Sequence, residues 1–364
     1  MGCDDENTQC PQYNGLRVWG WDEGFQAQLG PGESLARVAA VDRESLLLVD
    51  DTGSFRARVA GSYMHRHSLS YQLPCVGDWV RVDKQPGGDI GVIHGILERR
   101  TSLRRKSAGN DIDWQMIAAN VDTVMIVQSC HTDFNLKRLE RYLVMVMEGG
   151  AEAVILLTKT DLVAPDVLAG QIDDIRAAGI TAQVLSISNV SGHGVATLMD
   201  QLLPGKTYCF VGSSGVGKST LINRLVGRAV QETKTVSETG EGRHTTVRRE
   251  LIRLEGGALV IDNPGMREFG VFGAEDGITL SFSDITDLAE HCRYRDCSHR
   301  DEPGCAVIEA VNAGEINRDH VENYLKLKVE SEFNQMSYAK KRKKDRDVGR
   351  VIKSAKKTFK RSTD

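Results

Sequence analysis

The stretch Gly212-Ser213-Ser214-Gly215-Val216-Gly217-Lys218-Ser219 fits the pattern G-x-x-x-x-G-K-[S/T] in full. Such a stretch cradles phosphate. Its glycines let the backbone curl so that successive N–H groups point at phosphate oxygens, at a helix start whose dipole favours negative charge. Lys218 is placed to reach the β and γ phosphates and Ser219 to give its hydroxyl to Mg2+, with Thr220 next in the same nucleotide-binding set. Tyr208 to Val211 reads as a buried strand before the loop, and Thr220 to Leu225 as a helix after it, which is the context the motif needs.

Three further segments belong to the same chemistry. Asp262-Asn263-Pro264-Gly265 follows the apolar run Ala258 to Ile261. A carboxylate at a strand end with glycine three residues on suits a γ-phosphate switch, Asp262 holding Mg2+ through water and the Gly265 N–H touching the terminal phosphate. Taken alone, a turn of this composition needs no other reason to exist. Thr158-Lys159-Thr160-Asp161 resembles the guanine-reading N-K-x-D segment. The Asp161 carboxylate offers two convergent acceptors to guanine's two donors and would repel adenine's ring nitrogen, while the Lys159 stem lies on the base. Thr158 stands where asparagine is usual; one hydroxyl predicts weakened support of the loop rather than lost guanine preference. Ser188-Asn189-Val190-Ser191-Gly192-His193-Gly194 matches the loose S-A-x-x-G-x-G segment that completes a guanine pocket, with Asn189 in place of alanine.

Their order is informative. In ordinary GTPases the phosphate loop comes first; here the base-reading segments 158–161 and 188–194 precede 212–219 and 262–265. This is a circular permutation, allowed because the ends of a compact domain lie close together. It also makes the switch feed straight into the C-terminal region.

A second constellation is Cys292-x4-Cys297-x-His299-x5-Cys305. Three sulfurs and one imidazole are the number and softness a structural tetrahedral Zn2+ requires, with no position left for water. The alternative is three free thiols beside an unrelated histidine.

The elements that must position these residues are legible in outline. Residues 1–33 form a polar leader with Trp19, Trp21 and Phe25. Short strands separated by glycine and aspartate fill 34–97 (Leu35 to Val41, Ser45 to Val49, Ser54 to Ala60, Val76 to Val82, Ile90 to Leu97), which predicts a small closed barrel. One face of it gathers Arg37, Arg56, Arg58 and Arg66, with His65 and His67 beside them, which reads either as an RNA-binding face or as a solvated one. Glu98 to Asn110 is a basic connector. Strands and helices then alternate to about residue 277, an α/β unit with a parallel sheet and an antiparallel edge at Leu251 to Leu254. Residues 278–339 turn helical around the cysteines. From Lys340 to Asp364 twelve Lys or Arg face three Asp, in a chain whose net charge is −4; that asymmetry points to a polyanion, or to a solvated end. Apolar runs are too short for a membrane span and no basic start precedes an apolar segment, so a cytoplasmic, monomeric protein is expected.

With these segments in place, the chain resembles the RsgA family, circularly permuted GTPases that assist maturation of the bacterial small ribosomal subunit. The resemblance runs from the leader Leu16 to Phe25 through Val76-Gly77-Asp78-Trp79-Val80, Ala119-Asn120-Val121-Asp122, the permuted motifs, Gly242-Arg243-His244-Thr245-Thr246, Arg267-Glu268-Phe269 and Pro303-Gly304-Cys305-Ala306-Val307. It implies an OB-fold barrel, a P-loop GTPase domain over 98–277, a helical zinc-binding domain over 278–339, and GTP hydrolysis stimulated by the small subunit and its rRNA. It also implies that Thr246, favoured over Thr245, closes over Mg2+ beside the catalytic Lys218 and Gly265, while His244 reads either as an ordinary loop histidine or as a member of that catalytic set. Met266 follows the switch where a Ras-like GTPase carries a water-orienting glutamine, and a thioether cannot position water, so intrinsic hydrolysis is expected to be slow. Two other readings compete: a P-loop small-molecule kinase, and an rRNA-binding scaffold that has lost hydrolysis.

Overall fold

The computed structural model describes residues 11–30, 32–67, 69–84, 90–106, 114–227, 249–263, 271 and 273–335. A 3-10 turn (Pro11–Trp19) and a short helix, α1 (Glu23–Gln26), lead into β1 (Leu35–Val41), β2 (Leu46–Val49), β3 (Ser54–Val59), the helix α2 (Gly61–Arg66), β4 (Trp79–Asp83) and β5 (Ile90–Ile96). These strands run β1-β2-β3-β5-β4, and β4 pairs back onto β1 with Ala36 opposite Val80. The circuit therefore closes, and Val38, Leu48, Ala57, Val80, Val82 and Ile93 fill the barrel interior.

Four features depart from the sequence reading. Arg37 does not lie on an outer face: it is 1% exposed. Its guanidinium donates to the carbonyls of Gly77 (3.2 Å), Asn120 (3.0 Å) and Trp19 and to the Thr207 hydroxyl (2.9 Å), bolting leader, barrel and α/β unit together. Burial pulls its pKa down to about 10, and those four acceptors take the place of a carboxylate. His65 and Arg66 belong to α2 and not to a strand, and Arg56 is paired with Asp42, which leaves Arg58 and Arg66 exposed. The connector also contains β6 (Ser102–Lys106), which pairs antiparallel with β7 (Trp114–Ala119). The strand expected from Val76 begins only at Trp79, because Gly77 turns there with φ of 93°; a Cβ on it would lie 2.1 Å from the Ala119 carbonyl oxygen.

The α/β unit follows as β8 (Thr123–Ser129), α3 (Leu136–Glu148), β9 (Glu152–Thr158), α4 (Pro165–Ala177), β10 (Gln183–Ser186), α5 (Val195–Gln201), β11 (Thr207–Gly212), α6 (Lys218–Val226), β12 (Glu250–Arg253) and β13 (Leu259–Asp262). The sheet order is β10-β9-β8-β11-β13-β12, parallel except for the antiparallel edge β12. Every residue of β8 is buried, as expected of a parallel strand covered on both faces. Val124 and Ile126 face Leu139 and Leu143 of α3, whereas Met125 and Val127 face Leu198 of α5 and Leu221 of α6. At its outer edge β12 touches the barrel, Glu250 opposite Ala40 of β1.

Helices α7 (Glu275–Ser281), α8 (Ser283–Ala289), α9 (Ala306–Ala313) and α10 (Arg318–Gln335) complete the described chain. They pack around Phe282, Ile285, Val307, Tyr324 and Leu327, together with Val144 of α3, so this unit is seated on the back of the sheet helix. Among the described residues no helix is long and apolar enough to cross a membrane.

Candidate functional site

The sheet order brings the C-terminal ends of β10, β9, β8, β11 and β13 along one edge. That edge is where an open α/β sheet binds ligands. It gathers residues 188, 158–161, 212–219 and 262, distant in sequence, as the permuted order requires.

At its centre β11 ends on Gly212 and α6 begins on Lys218. Gly212 has φ of 145°, and a Cβ there would stand 2.2 Å from the Val127 carbonyl oxygen on β8. Only glycine therefore lets the chain leave the sheet at this point without breaking the β8–β11 pairing. Ser213 to Gly217 curl over the helix start. The buried Lys218 ammonium donates to the carbonyls of Gly212 (2.7 Å) and Ser213 (2.5 Å). Burial lowers its pKa, opposed first by the charge of Asp133 and then by that of Asp262. Ser219 and Thr220 are exposed on the first turn of α6, and Asp262 closes β13 beside them.

The base-reading segments sit two and three strands away from β11, after β9 and β10. Lys159 takes the left-handed conformation (φ 57°), which turns the chain sharply after β9 and opens a 3-10 turn carrying the exposed Asp161. The fully buried Ser188 donates its hydroxyl to Asp161 Oδ1 at 2.5 Å and accepts from the N–H groups of Val190 and Ser191. One carboxylate oxygen is thereby fixed. Thr158, also fully buried, reaches the Val216 carbonyl of the phosphate loop (2.6 Å) and the Gln128 carbonyl (3.1 Å). The Asn189 amide donates to the Gly217 carbonyl at 3.1 Å. Both positions that depart from the usual guanine motifs thus touch the phosphate loop. His244, Thr245, Thr246, Gly265, Met266 and the basic stretch from Lys340 lie outside the described residues.

The cysteine cluster lies further along the chain, in the loop between α8 and α9. Ligand atoms of Cys292, Cys297, His299 and Cys305 all lie within 4.8 Å of one another. His299 Nδ1 stands 3.6 Å from the Cys292 sulfur and 3.5 Å from that of Cys305, and those two sulfurs are 3.8 Å apart. A tetrahedral ion with Zn–S of about 2.3 Å and Zn–N of about 2.0–2.1 Å would separate two sulfurs by about 3.8 Å and a sulfur from a nitrogen by about 3.5 Å. The donor set fits that ion in number, softness and spacing. Burial lowers the His299 pKa and so favours the neutral imidazole a metal takes. The Glu302 carboxylate knits the loop, accepting from Ser298, Arg300 and Asp301, and these bonds, the Ser298 hydroxyl foremost, hold its pKa down to about 2.

Two side chains at the nucleotide edge carry no motif that would have drawn attention. Asp133, on the loop after β8, faces the Lys218 charge while its Oδ1 pairs with Arg138 at 2.8 Å. Arg224, on the exposed side of α6, donates to the Asn189 carbonyl oxygen at 2.9 Å.

Comparison with known proteins agrees with this geometry. The model of a family described as RsgA GTPase matches residues 96–272. A protein of Opitutus terrae named small ribosomal subunit biogenesis GTPase RsgA is 40% identical over 332 residues, 87% of this chain and 90% of its own length. One of the same name from Methanosarcina acetivorans is 45% identical over 261 residues, 71% of this chain and 70% of its own. Among solved structures, YjeQ from Thermotoga maritima superposes with a TM-score of 0.61 at 27% identity, over 80% of this chain and 96% of that one. YloQ, a circularly permuted GTPase, gives the same TM-score at 23% identity over 84% and 97%, and shares the fold.

Proposed function

The chain belongs to the RsgA family and is a GTPase, and from that premise we propose that it acts in biogenesis of the small ribosomal subunit, hydrolysing GTP to GDP and phosphate faster when the subunit is bound. Its relatives are named for that role. The observation that carries the reading is the hydrogen-bonded convergence of the permuted segments, with Ser188 on Asp161 and Thr158 on Val216.

In this proposal Asp161 accepts from the guanine ring N–H and amine, and Lys159 and the 188–189 turn enclose the base. The amides of Gly212 to Thr220 surround the β and γ phosphates. Lys218 moves from its loop carbonyls onto the phosphate, where its charge grows in value as the transition state forms. Ser219, Asp262 and Thr246 supply hard oxygen donors suited to Mg2+, which when bound neutralises charge on the phosphate oxygens. Water attacks the γ phosphorus, the bond to the β–γ bridging oxygen breaks, GDP leaves with that electron pair, and the water's proton passes to phosphate. Gly265 holds the terminal phosphate, and His244 or a group from the subunit orients the water that Met266 cannot. The cysteine cluster holds one structural Zn2+ and shapes the 278–339 unit. The barrel, through Arg58 and Arg66, and the basic 340–364 stretch contact rRNA phosphates, in a protein that works as a cytoplasmic monomer.

Turnover of GTP and ATP with and without purified small subunits tests the proposal. GTP is expected to be used far better than ATP, with a rate rising about tenfold or more on adding subunits, an acceleration modest beside those known for trans-acting GTPase partners. Equal use of the two nucleotides, or indifference to subunits, would overturn it.

A further inference from the structure

Two consecutive carbonyls of the phosphate loop, those of Val216 and Gly217, are each held by a side chain from a different base-reading segment. Thr158 takes the first and Asn189 the second. These are the two positions at which the chain departs from the ordinary guanine motifs, where asparagine and alanine would stand.

A threonine carries one hydroxyl hydrogen, whereas an asparagine amide carries two. The Thr158 hydroxyl faces two carbonyl oxygens, Val216 at 2.6 Å and Gln128 at 3.1 Å, and its single hydrogen can serve only one of them fully. A loop held at 158 alone would have one firm tether. The Asn189 amide supplies another at the next peptide. It lies against Gly217, since a Cβ on that glycine would come 3.0 Å from its nitrogen. Gly217 is the left-handed residue (φ 98°) immediately before the first turn of α6, so the tether fixes the point where loop becomes helix. Asn189 is itself braced from below, its own carbonyl accepting from Arg224, which stands two turns along that helix. A guanidinium nitrogen of Arg224 also fills the space beside Gly192, 2.8 Å from where a Cβ would be.

We infer that Asn189 is a positioning residue that makes good the loop tether which threonine at 158, its one hydrogen divided between Val216 of the loop and Gln128 of β8, holds only in part, so that the two departures compensate each other. The inference rests on the nucleotide reading of this edge. Its consequence is mechanical. The 188–194 turn, which encloses the base, and the phosphate-binding helix start are one hydrogen-bonded unit, so seating the base tightens the loop that grips the phosphates. The sequence taken position by position predicts weakened support; the pair restores it.

The test is a four-protein set: wild type, Asn189→Ala, Thr158→Asn and the double variant Asn189→Ala/Thr158→Asn, each titrated with GDP and with ADP by calorimetry. Losing one tether that leaves a carbonyl unpaired should weaken GDP binding about tenfold in N189A. In the Thr158→Asn background, where one amide hydrogen can serve Val216 of the loop undivided while the other serves Gln128, the same Asn189→Ala change should cost about twofold or less. Subunit-stimulated turnover should show a raised KM with kcat little changed, because the tether acts before and during the transition state alike. Thermal unfolding should be unmoved in N189A, since the side chain is a half-buried loop group. A parallel fall in Tm and affinity would assign it a merely structural role and overturn the inference. So would an equal cost of Asn189→Ala in both backgrounds, or N189A binding GDP as tightly as wild type. If wild type itself binds ADP as well as GDP, the guanine reading fails and the inference falls with it; intact guanine preference without compensation sinks the inference alone.

Discussion

In the nucleotide pocket the groups that meet come from far apart: Thr158 reaches Val216 across 58 positions, and Ser188 reaches Asp161 across 27. In the cysteine cluster the four candidate ligands fall between residues 292 and 305. The pocket is held by a sheet buried on both faces, and its polar groups sit at strand ends that the core has already placed. The cluster has no such support. Its loop is short and polar, two of its cysteines are half exposed, and the small helices around it share one modest core with α3. Side chains in the first region should therefore be dispensable for folding and indispensable for binding, and those in the second the reverse.

The largest effect expected from this contrast is at the cluster. Cys305 is both a proposed ligand and a buried residue of the helical core, at the N-cap of α9. Structural zinc binding in small modules is worth about 10 kcal/mol or more. Removing the ion with a strong chelator, or substituting Cys305→Ser, should release residues 290–313 to rapid hydrogen exchange while β11 and α6 keep their protection and GDP still binds. Purified protein should carry about one zinc per chain. Less than about a tenth of an equivalent, with exchange unchanged by chelator, would show that the loop stands without metal.

The mirror experiment is Lys218→Ala. It removes the ammonium proposed to grip the phosphates but leaves β11, β8 and their two cores intact, so unfolding free energy should change by about 1 kcal/mol or less. Subunit-stimulated GTP turnover should fall roughly a hundredfold or more, the scale on which a single preorganised electrostatic donor acts. If K218A lost stability and activity in proportion, the pocket would be part of the folding core, and the contrast drawn above would be wrong.

What the sequence made legible follows the same division. Phosphate loop, base-reading segments and cysteine spacing each constrain backbone or ligand geometry locally, and the permuted order followed from their positions alone. The junctions were not legible. Alternation along a strand places Arg37 on an outer face, because it says only which residues share a side. It does not say that β1, at the barrel seam and beside β12, is covered on both. An arginine inside a run of small apolar residues (Leu35-Ala36-Arg37-Val38-Ala39-Ala40) was the available sign. β6 reads as a connector because its sequence, Ser-Leu-Arg-Arg-Lys, offers one apolar residue, and its strand character comes from pairing with β7. The tether at Asn189 needed coordinates, since nothing in the loose loop pattern says where its amide points.

A smaller effect is expected at the seam between the two regions, where α10 lies on α3. Buried His320 meets Glu140 of α3 through Nδ1 at 2.5 Å and Asp284 of α8 through Nε2 at 3.2 Å, and Asn323 donates to the other Glu140 oxygen. Burial pulls the imidazole pKa down, but the hydrogen bonds to Asp284 and Glu140 outweigh it and raise it to about 9. A group whose folded pKa lies above its unfolded value near 6.5 stabilises the fold fully below that unfolded value. The contribution then declines as pH climbs and is gone above about 9. Allowing for the partial exposure of Asp284, it amounts to about 2 kcal/mol. Wild type should therefore lose stability between pH 6.5 and 9.5 by that amount relative to His320→Gln, in which the alkaline decline flattens, as read from urea midpoints across the range. Hydrogen exchange should locate the loss in α8 and α10 and not in the sheet, because the seam joins a region whose order is local to one whose order is not. Identical pH profiles for the two proteins would mean that His320 is neutral in the fold, and that α10 is held on α3 by its apolar face together with the Arg141–Glu330 pair.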